Sequence, residues 1–600
     1  MIRLWDQRAR PWRLVLRYLA AACLVALCIA CFVLRQHHAQ TWRAPALRGS
    51  KHPIQRLMAE AKARCDRLMS RRSHDVKAAA SRYRQRRGRH PPPGFDRWFQ
   101  AARDADAVVV EDFFDRIYKD LTPFWALDPD TTRTRAQAWH FVVRVRNGKA
   151  HGVGDVQGHV PWLQLWTGLV DEFAQHLPDV DMPINMLDEP RILVPFDDMA
   201  KLVKRANQQR SMAEVAEVTG EFRGLGDVDD RKPEAYEPQW HGPSSSYWDL
   251  AVKTCGVHTP AYAVAQIDDF SSPAEMPGDW TPGYAFDGFV RNWTAAMDPC
   301  LQPHLRQLHG TFIEPISLSS TEELVPLFGG SKLPMNNEIL IPGAMYLTDD
   351  AFYSGGDSHG PPWHRKKDGL IWRGDASGGR AREHSWHHFQ RHRLVDMLNG
   401  TTVSRVEASG VRASAFALPS QVVHHSRRQK PGELGAWLKD FADAAFVHLC
   451  PPGECDFLAS RFRIAEQMPM QAQYEYKFLP DADGNSFSAR FRGFLRSTSL
   501  PLKATIYAEW HDDRLVPWAH FVPLDNTFRD LYPVLDFFAD GDGRPGDAAA
   551  ASIAQTGRQW AEQVLRREDM RLYVWRLLLE WARVCDDNRH RLGFVGDLTP

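Results

Sequence analysis

Between Tyr476 and Leu524 the chain reads YKFLPDADGNSFSARFRGFLRSTSLPLKATIYAEWHDDRLVPWAHFVPL, which places several chemically capable residues in one block. A turn at Gly484-Asn485 precedes three arginines, Arg490, Arg492 and Arg496, then an apolar strand ending in Glu509-Trp510 and a Pro-Trp-x-His turn. Guanidinium groups can meet phosphate oxygens bidentately, and an acid at a strand end can accept ribose hydroxyls, so the block suits a nucleotide diphosphate. The same residues also make a solvated basic face on an aromatic core, and residue types alone leave both readings open. Arg492 is expected to face solvent, and Trp518 and His520 to shape a pocket wall.

Two other segments offer complementary chemistry. Arg373-Gly374-Asp375-Ala376-Ser377-Gly378-Gly379 follows the strand-like Gly369–Trp372. Small residues at the carboxyl end of a strand let the backbone approach phosphate, and their amides can form an anion nest, although a Gly-Gly turn can also be only a turn. Asp375 would oppose a phosphate there unless turned away or paired with Arg380. Asp188 follows the strand-like Met182–Asn185, at a strand end where site residues of open α/β sheets gather. It reads either as a general base, with Glu189 as the alternative, or as a turn former.

In order and content these blocks resemble glycosyltransferase family 90, the capsule-associated-protein family that includes the Rumi-type protein O-glucosyltransferases. INMLDEP, ending at Pro190, is similar to the family's INVRDYP, whose Asp is the catalytic base. KKDGLIWRGDASGG (366–379) is similar to its phosphate-side loop, and RHPPPGFDRWF (89–99) resembles its fungal branch. The resemblance spans roughly residues 88 to 590. It implies an inverting, single-displacement transfer from a UDP-sugar to a glycan or protein acceptor, with Asp188 as base. Arg490 would be the diphosphate-binding residue, with Ser488, Arg373, Gly374, Ser377, Gly378 and Glu509 as further donor contacts. It also implies no metal and no other cofactor. The fungal likeness favours UDP-xylose and a capsule or cell-wall polysaccharide. UDP-glucose transfer is the alternative within the class, and a non-catalytic, membrane-tethered glycan-binding protein the alternative outside it.

Metal chemistry has few other footholds. His384, His388 and His392 fall at i, i+4 and i+8 but lack an H-E-x-x-H pattern. Asp481-Ala-Asp483 and Asp540-Gly-Asp542 imitate D-x-D, a common pattern in loops. No P-loop and no G-x-S-x-G elbow is present. The chain of 600 residues has a formal net charge of zero, so no global field points to nucleic acid.

The elements that must hold these residues alternate between helix and short apolar strand. Helices are expected over 162–176 and 390–398, and strands at 180–185, 338–341, 369–372, 446–449 and 504–510. Two amphipathic helices, 549–565 and 570–585, close the chain. The alternation predicts an α/β architecture with largely parallel sheets; the family resemblance implies a GT-B-like fold of two Rossmann-like domains facing a cleft, 91–350 on the acceptor side and 351–590 binding the UDP-sugar.

Ahead of them, Tyr18–Leu34 is an uncharged apolar run preceded by five arginines. It predicts a cytoplasmic tail (1–13), a transmembrane signal-anchor (14–34) and a solvated luminal stem (35–90). The six cysteines beyond the span suit a disulfide-permissive compartment. Asn292-Trp-Thr and Asn399-Gly-Thr are glycosylation candidates. With the anchor, a terminus of Gly-Asp-Leu-Thr-Pro, unlike a KDEL signal, favours the Golgi membrane over the endoplasmic reticulum.

Overall fold

The structure is a computed structural model. It describes residues 52–598 apart from 155–160, 226–235, 243–245, 278–281, 355, 420–427, 429, 451–454 and 542. The apolar run Tyr18–Leu34 lies outside the described residues, and no described helix is long and apolar enough to cross a membrane.

Strand residues in the C-terminal half form near-continuous buried runs, because a parallel sheet is covered on both faces. The strands are β8 (Lys367–Gly374), β9 (Ala442–Phe446), β10 (Tyr476–Ala482), β11 (Leu500–Ala504) and β12 (Val522–Pro523), after seven earlier ones described below. They form one sheet in the order β12-β11-β10-β8-β9, and every pair is parallel. The strand order reverses between β8 and β10, and the crevice at such a point is where open α/β sheets bind ligands. There the ladder is incomplete. Pairing of β10 with β11 continues to Ala482, whereas its pairing with β8 stops at Phe478. Pro480, which has no N–H to donate, sits where the two strands part.

The N-terminal half is built differently from the expected Rossmann-like unit. β1 (Val142–Arg146) pairs antiparallel with β2 (Lys149–Val153) and with β3 (Val180–Pro183). β4 (Ala285–Phe286) and β5 (Phe289–Val290) form a separate hairpin. Ile184, just past β3, bridges in parallel to Phe328 of β6 (Phe328–Gly329), which pairs in parallel with β7 (Ile339–Leu340). The resulting layer is mixed, and only its β3-β6-β7 part is parallel.

The final helix, Arg567–Val584, joins the two halves. It is buried along almost its whole length. Trp581 Nε1 donates to the Asp181 carbonyl of β3 at 2.8 Å, and Tyr573 Oη to the Leu340 carbonyl of β7 at 3.2 Å. Sequence periodicity locates this helix but not its all-round burial.

The solvated-stem expectation is corrected over residues 53–90. Helix Pro53–Met69 buries Ile54, Leu57, Ala61 and Leu68, a spacing that makes one face. Helix Val76–Arg87 is capped by Asp75, whose carboxylate accepts from the Ala78 amide at 2.7 Å. Its Tyr83 is fully buried and donates to Glu580 Oε1 at 3.0 Å, where Tyr118 also donates at 2.8 Å. Arg583 pairs with the same carboxylate, and Arg576 Nε lies 3.4 Å from it. Glu580 therefore fastens the supposed stem to the final helix. Breaking a buried ion pair by removing one partner costs about 3–5 kcal/mol. Glu580→Gln is expected to lower the unfolding free energy by that order in denaturant titration; an unchanged midpoint would show that the cluster is not what holds this region.

Candidate active site

The parting of β8 and β10 is filled by side chains. Arg391, from helix Gln390–Leu398, donates Nη1 to the Asp375 carbonyl at 2.9 Å and to Ser377 Oγ at 2.7 Å. Its Nε reaches the Asp483 carbonyl at 2.9 Å. One buried guanidinium thus bridges the two strand ends that no longer share a ladder. Arg490 stands beside it at the start of helix Phe491–Arg496, and its Nη1 donates to the Arg373 carbonyl. Both guanidinium groups lie over the Trp372 ring, at 5.9 and 5.4 Å from its centroid. Neither touches a carboxylate within ion-pair distance. Burial lowers the pKa of both, and Arg490 further lowers that of Arg391, to about 10.

Among the polar atoms here that are out of water and unpartnered are Arg490 Nη2 and Ser488 Oγ, beside Trp372 Nε1 and Arg373 Nε. A buried donor without an acceptor is costly, and such groups mark places where a ligand supplies the missing partner.

The remaining expected donor contacts are arranged differently. The Arg373 side chain turns to β9, donating to the Asp443 carbonyl at 2.9 Å and to its carboxylate at 2.6 Å. The amides of Gly378 and Gly379 point at Asn485 Oδ1, at 3.0 and 3.3 Å, so an Asn side chain already occupies the expected nest. Gly378 has φ +114°, and a Cβ there would lie 2.4 Å from Gln390 Nε2, so the turn needs glycine. A Cβ on Gly374 would sit 3.0 Å from Trp372 Cζ2 and 3.6 Å from Arg490 Nη1. Asp375 is turned outward and pairs with His448 at 2.9 Å rather than with Arg380.

Glu509 lies five residues beyond the end of β11, not on a strand, and is 1% exposed. Its Oε2 accepts from Tyr346 Oη at 2.6 Å and lies 3.2 Å from His511 Nε2, while Lys503 Nζ is 3.5 Å from Oε1. It is a buried charge centre beneath the site rather than a surface ligand. Arg492 is likewise buried and donates to the Leu565 carbonyl at 2.8 Å, and Trp518 and His520 belong to the core rather than to a pocket wall.

Asp188 is exposed at the end of the segment after β3. Asn185 braces it: Oδ1 accepts from the Leu187 amide at 3.2 Å, and Nδ2 donates to the Glu189 carbonyl at 2.9 Å. Glu189 turns inward to the Ser317 amide and hydroxyl, and burial raises its pKa. Asp188 Oδ2 lies 3.5 Å from Asn485 Nδ2, the residue that organises the Gly378–Gly379 turn. Asp188 and Phe487 line one cleft, with Trp162 at its side. Arg490, Arg391 and Ser488 do not line this cleft; Asn485 is what connects Asp188 to the Gly378–Gly379 turn. Asn485, Arg391 and Asn185 are the residues that sequence reasoning missed; the Gly484-Asn485 turn was a signal for the first.

The acidic pairs are engaged elsewhere. Asp481 meets Lys503 at 3.1 Å, and Asp483 binds the Thr505 hydroxyl at 2.5 Å and the Ile506 amide at 2.9 Å. Asp542 lies outside the described residues. Helix Gln390–Leu398 begins after His384 and His388, so the three histidines do not share a helix, and no group of three metal-ligating side chains occurs among the described residues. Asn292 is exposed and caps helix Trp293–Ala296; Asn399, half-buried, caps helix Gly400–Ser409. Cys255–Cys300 and Cys450–Cys455 form disulfides, whereas Cys65 and Cys585 are free.

Residues 433–590, which hold β9 to β12, Arg490 and Ser488, and the closing helices, match the model of Glycosyl transferase family 90. Over that segment the chain is similar to glycosyltransferase family 90. It is 34% identical over 125 residues to O-glucosyltransferase rumi of Drosophila pseudoobscura pseudoobscura, covering 20% of this chain and 29% of that protein. The Drosophila melanogaster protein of the same name is 31% identical over 121 residues, 19% of this chain and 28% of that one. Protein O-glucosyltransferase 1 of Rattus norvegicus is 27% identical over 115 residues, again 19% and 28%. The chain thus spans less than a third of the length of the curated relatives it matches.

The buried Glu509–His511 pair gives a pH signature. Burial opposes the charge on His511, but Glu509 and Asp512 outweigh it and raise the pKa from 6.5 to about 9. A raised pKa contributes stability that is fully present below pH about 6.5 and is lost as pH rises through about 9. The unfolding free energy should therefore fall across that window, and His511→Gln should flatten the slope. An identical slope in the variant would mean that His511 is neutral in the folded protein.

Proposed function

We propose that this protein transfers a sugar from a UDP-sugar to a hydroxyl of a glycan or protein acceptor, by single displacement with inversion. The observation that bears most on this reading is the unpartnered pair, Arg490 Nη2 and Ser488 Oγ, buried at the strand-order reversal in the family 90 segment. In the proposed reaction Asp188 takes the proton of the acceptor hydroxyl, and the freed oxygen attacks the anomeric carbon. The bond from that carbon to the diphosphate breaks, and its electron pair leaves on a phosphate oxygen that Arg490 and Ser488 stabilise. Arg391 and Asn485 hold the crevice open but do not touch the reacting atoms. No metal is assigned a role.

The donor is proposed to be UDP-xylose, from the likeness to the fungal branch. UDP-glucose is the second reading, because the three relatives are named O-glucosyltransferases. The fold is proposed to be of the GT-B kind, with the mixed β1–β7 layer on the acceptor side. Tyr18–Leu34 is proposed as a membrane anchor with the body in the Golgi lumen, to which the disulfide Cys255–Cys300 lends support.

UDP release during incubation with UDP-xylose or UDP-glucose tests the reading. Release is expected with one of them, in the presence of a chelator as in its absence. Charge-assisted hydrogen bonds are worth roughly 1.5–3 kcal/mol, so Arg490→Ala should weaken UDP binding by about tenfold to a few hundredfold. Absence of release with every UDP-sugar, together with unchanged UDP affinity in Arg490→Ala, would leave a binding protein of another kind. Complete loss in a chelator, restored by manganese, would return the reaction to metal chemistry.

A further inference from the structure

A second cavity shares no lining residue with the Asp188 cleft. It lies between helix Val76–Arg87, the Leu121–Trp125 turn and the final helix, and five arginines line it: Arg86, Arg87, Arg89, Arg210 and Arg583. Three of them are paired. Arg86 and Arg87 meet Asp115, Arg87 also meets Glu111 at 2.8 Å, and Arg583 meets Glu580. Arg89 and Arg210 meet no carboxylate. Nε and Nη2 of Arg89 are both out of water with no acceptor, and its guanidinium lies 3.5 Å from the centroid of Trp125. The Arg210 side chain, just past the end of helix Phe196–Gln208, donates to Asn207 Oδ1 of that helix at 2.6 Å. Its aliphatic stem passes over Gly88, where φ is +65° and a Cβ would stand 3.4 Å from Arg210 Cδ. That glycine turn brings Arg210 to the residue next in sequence, Arg89.

Burial, and then the charges of Arg583 and Arg210, push the Arg89 pKa down to about 9. Arg89, with two donors out of water and no acceptor, beside the solvent-facing Arg210 is a good arrangement for an anion. Planar guanidinium forks match tetrahedral oxyanions bidentately. Leu121 and Trp125 give the cavity an apolar wall.

We infer that this cavity is a binding site for a phosphate- or sulfate-type dianion borne on a small organic group, apart from the sugar-transfer site. The oxyanion sits between Arg89 and Arg210, and the organic part lies along Leu121 and Trp125.

Calorimetry and thermal unfolding of the full chain, at ionic strength held constant with sodium chloride, test this. The titrants are inorganic phosphate, inorganic sulfate and phenyl phosphate. The Arg490→Ala background separates this site from the donor crevice. Saturable one-to-one binding that raises the melting temperature is expected in that background, with phenyl phosphate tighter than either inorganic ion. Arg210→Gln, at an exposed position where folding is spared, should weaken binding roughly ten- to a hundredfold, and Arg89→Gln similarly. No saturable binding, or an affinity unchanged by Arg210→Gln, overturns the site. Equal affinity for phenyl phosphate and inorganic phosphate overturns the organic part and leaves the free ion as the ligand.

Discussion

Two guanidinium groups held out of water without a carboxylate are the constraint around which the C-terminal half is arranged. Arg391 and Arg490 stand side by side where β8 and β10 part. Neutral partners relieve part of the cost: backbone carbonyls of Asp375, Asp483 and Arg373, the Ser377 hydroxyl and the Trp372 ring. None of these cancels the charge. The nearby carboxylates are committed elsewhere, Asp481 to Lys503 and Asp375 to His448. What remains is a preorganised positive field at a strand-end crevice, which is what a departing diphosphate needs and what water cannot supply as cheaply in a low-dielectric site.

The opposite wall depends on a different device. Asp188 is kept at the surface by Asn185, which folds the 185–189 segment on itself, while Glu189 is drawn inward to Ser317. Neighbouring carboxylates are thereby divided, one available to solvent and one spent on structure. The link across the cleft is Asn485, which touches Asp188 with its amide nitrogen and the Gly378–Gly379 turn with its oxygen. The spacing of the walls rests in turn on the final helix, through Trp581 on β3 and Tyr573 on β7, and on the Glu580 cluster that fastens helix Val76–Arg87 to it.

Helix 390–398 and the closing helices were legible in the sequence because their apolar periodicity is long enough to be read, and β8 because Gly369–Trp372 is an uninterrupted apolar run. Arg490 was legible through the resemblance. The predicted strand 504–510 was misplaced because Ile506-Tyr507-Ala508 are as apolar as β11, yet they form a buried loop fixed by Asp483. Glu509 was misread for the same reason, since a buried acid with Tyr346, His511 and Lys503 as partners looks in sequence like any acid before a tryptophan. Arg373 was misread because side-chain direction at a strand end depends on the neighbouring strand, here Asp443 of β9. The 53–90 segment looked solvated because it is rich in arginine; the carboxylates that meet Arg84, Arg86 and Arg87 are distant in sequence and invisible to local patterns.

The central claim is that the two walls divide the chemistry, with Asp188 handling the proton and Arg490 the leaving group. Asp188→Asn keeps the shape of the side chain and removes the base. Its transfer rate with the accepted donor and acceptor, measured beside its affinity for UDP, is the direct test. The account predicts a rate lower by about 10²- to 10⁴-fold with UDP affinity nearly unchanged. A variant that retained most of its turnover, or that lost UDP binding in step with turnover, would contradict it.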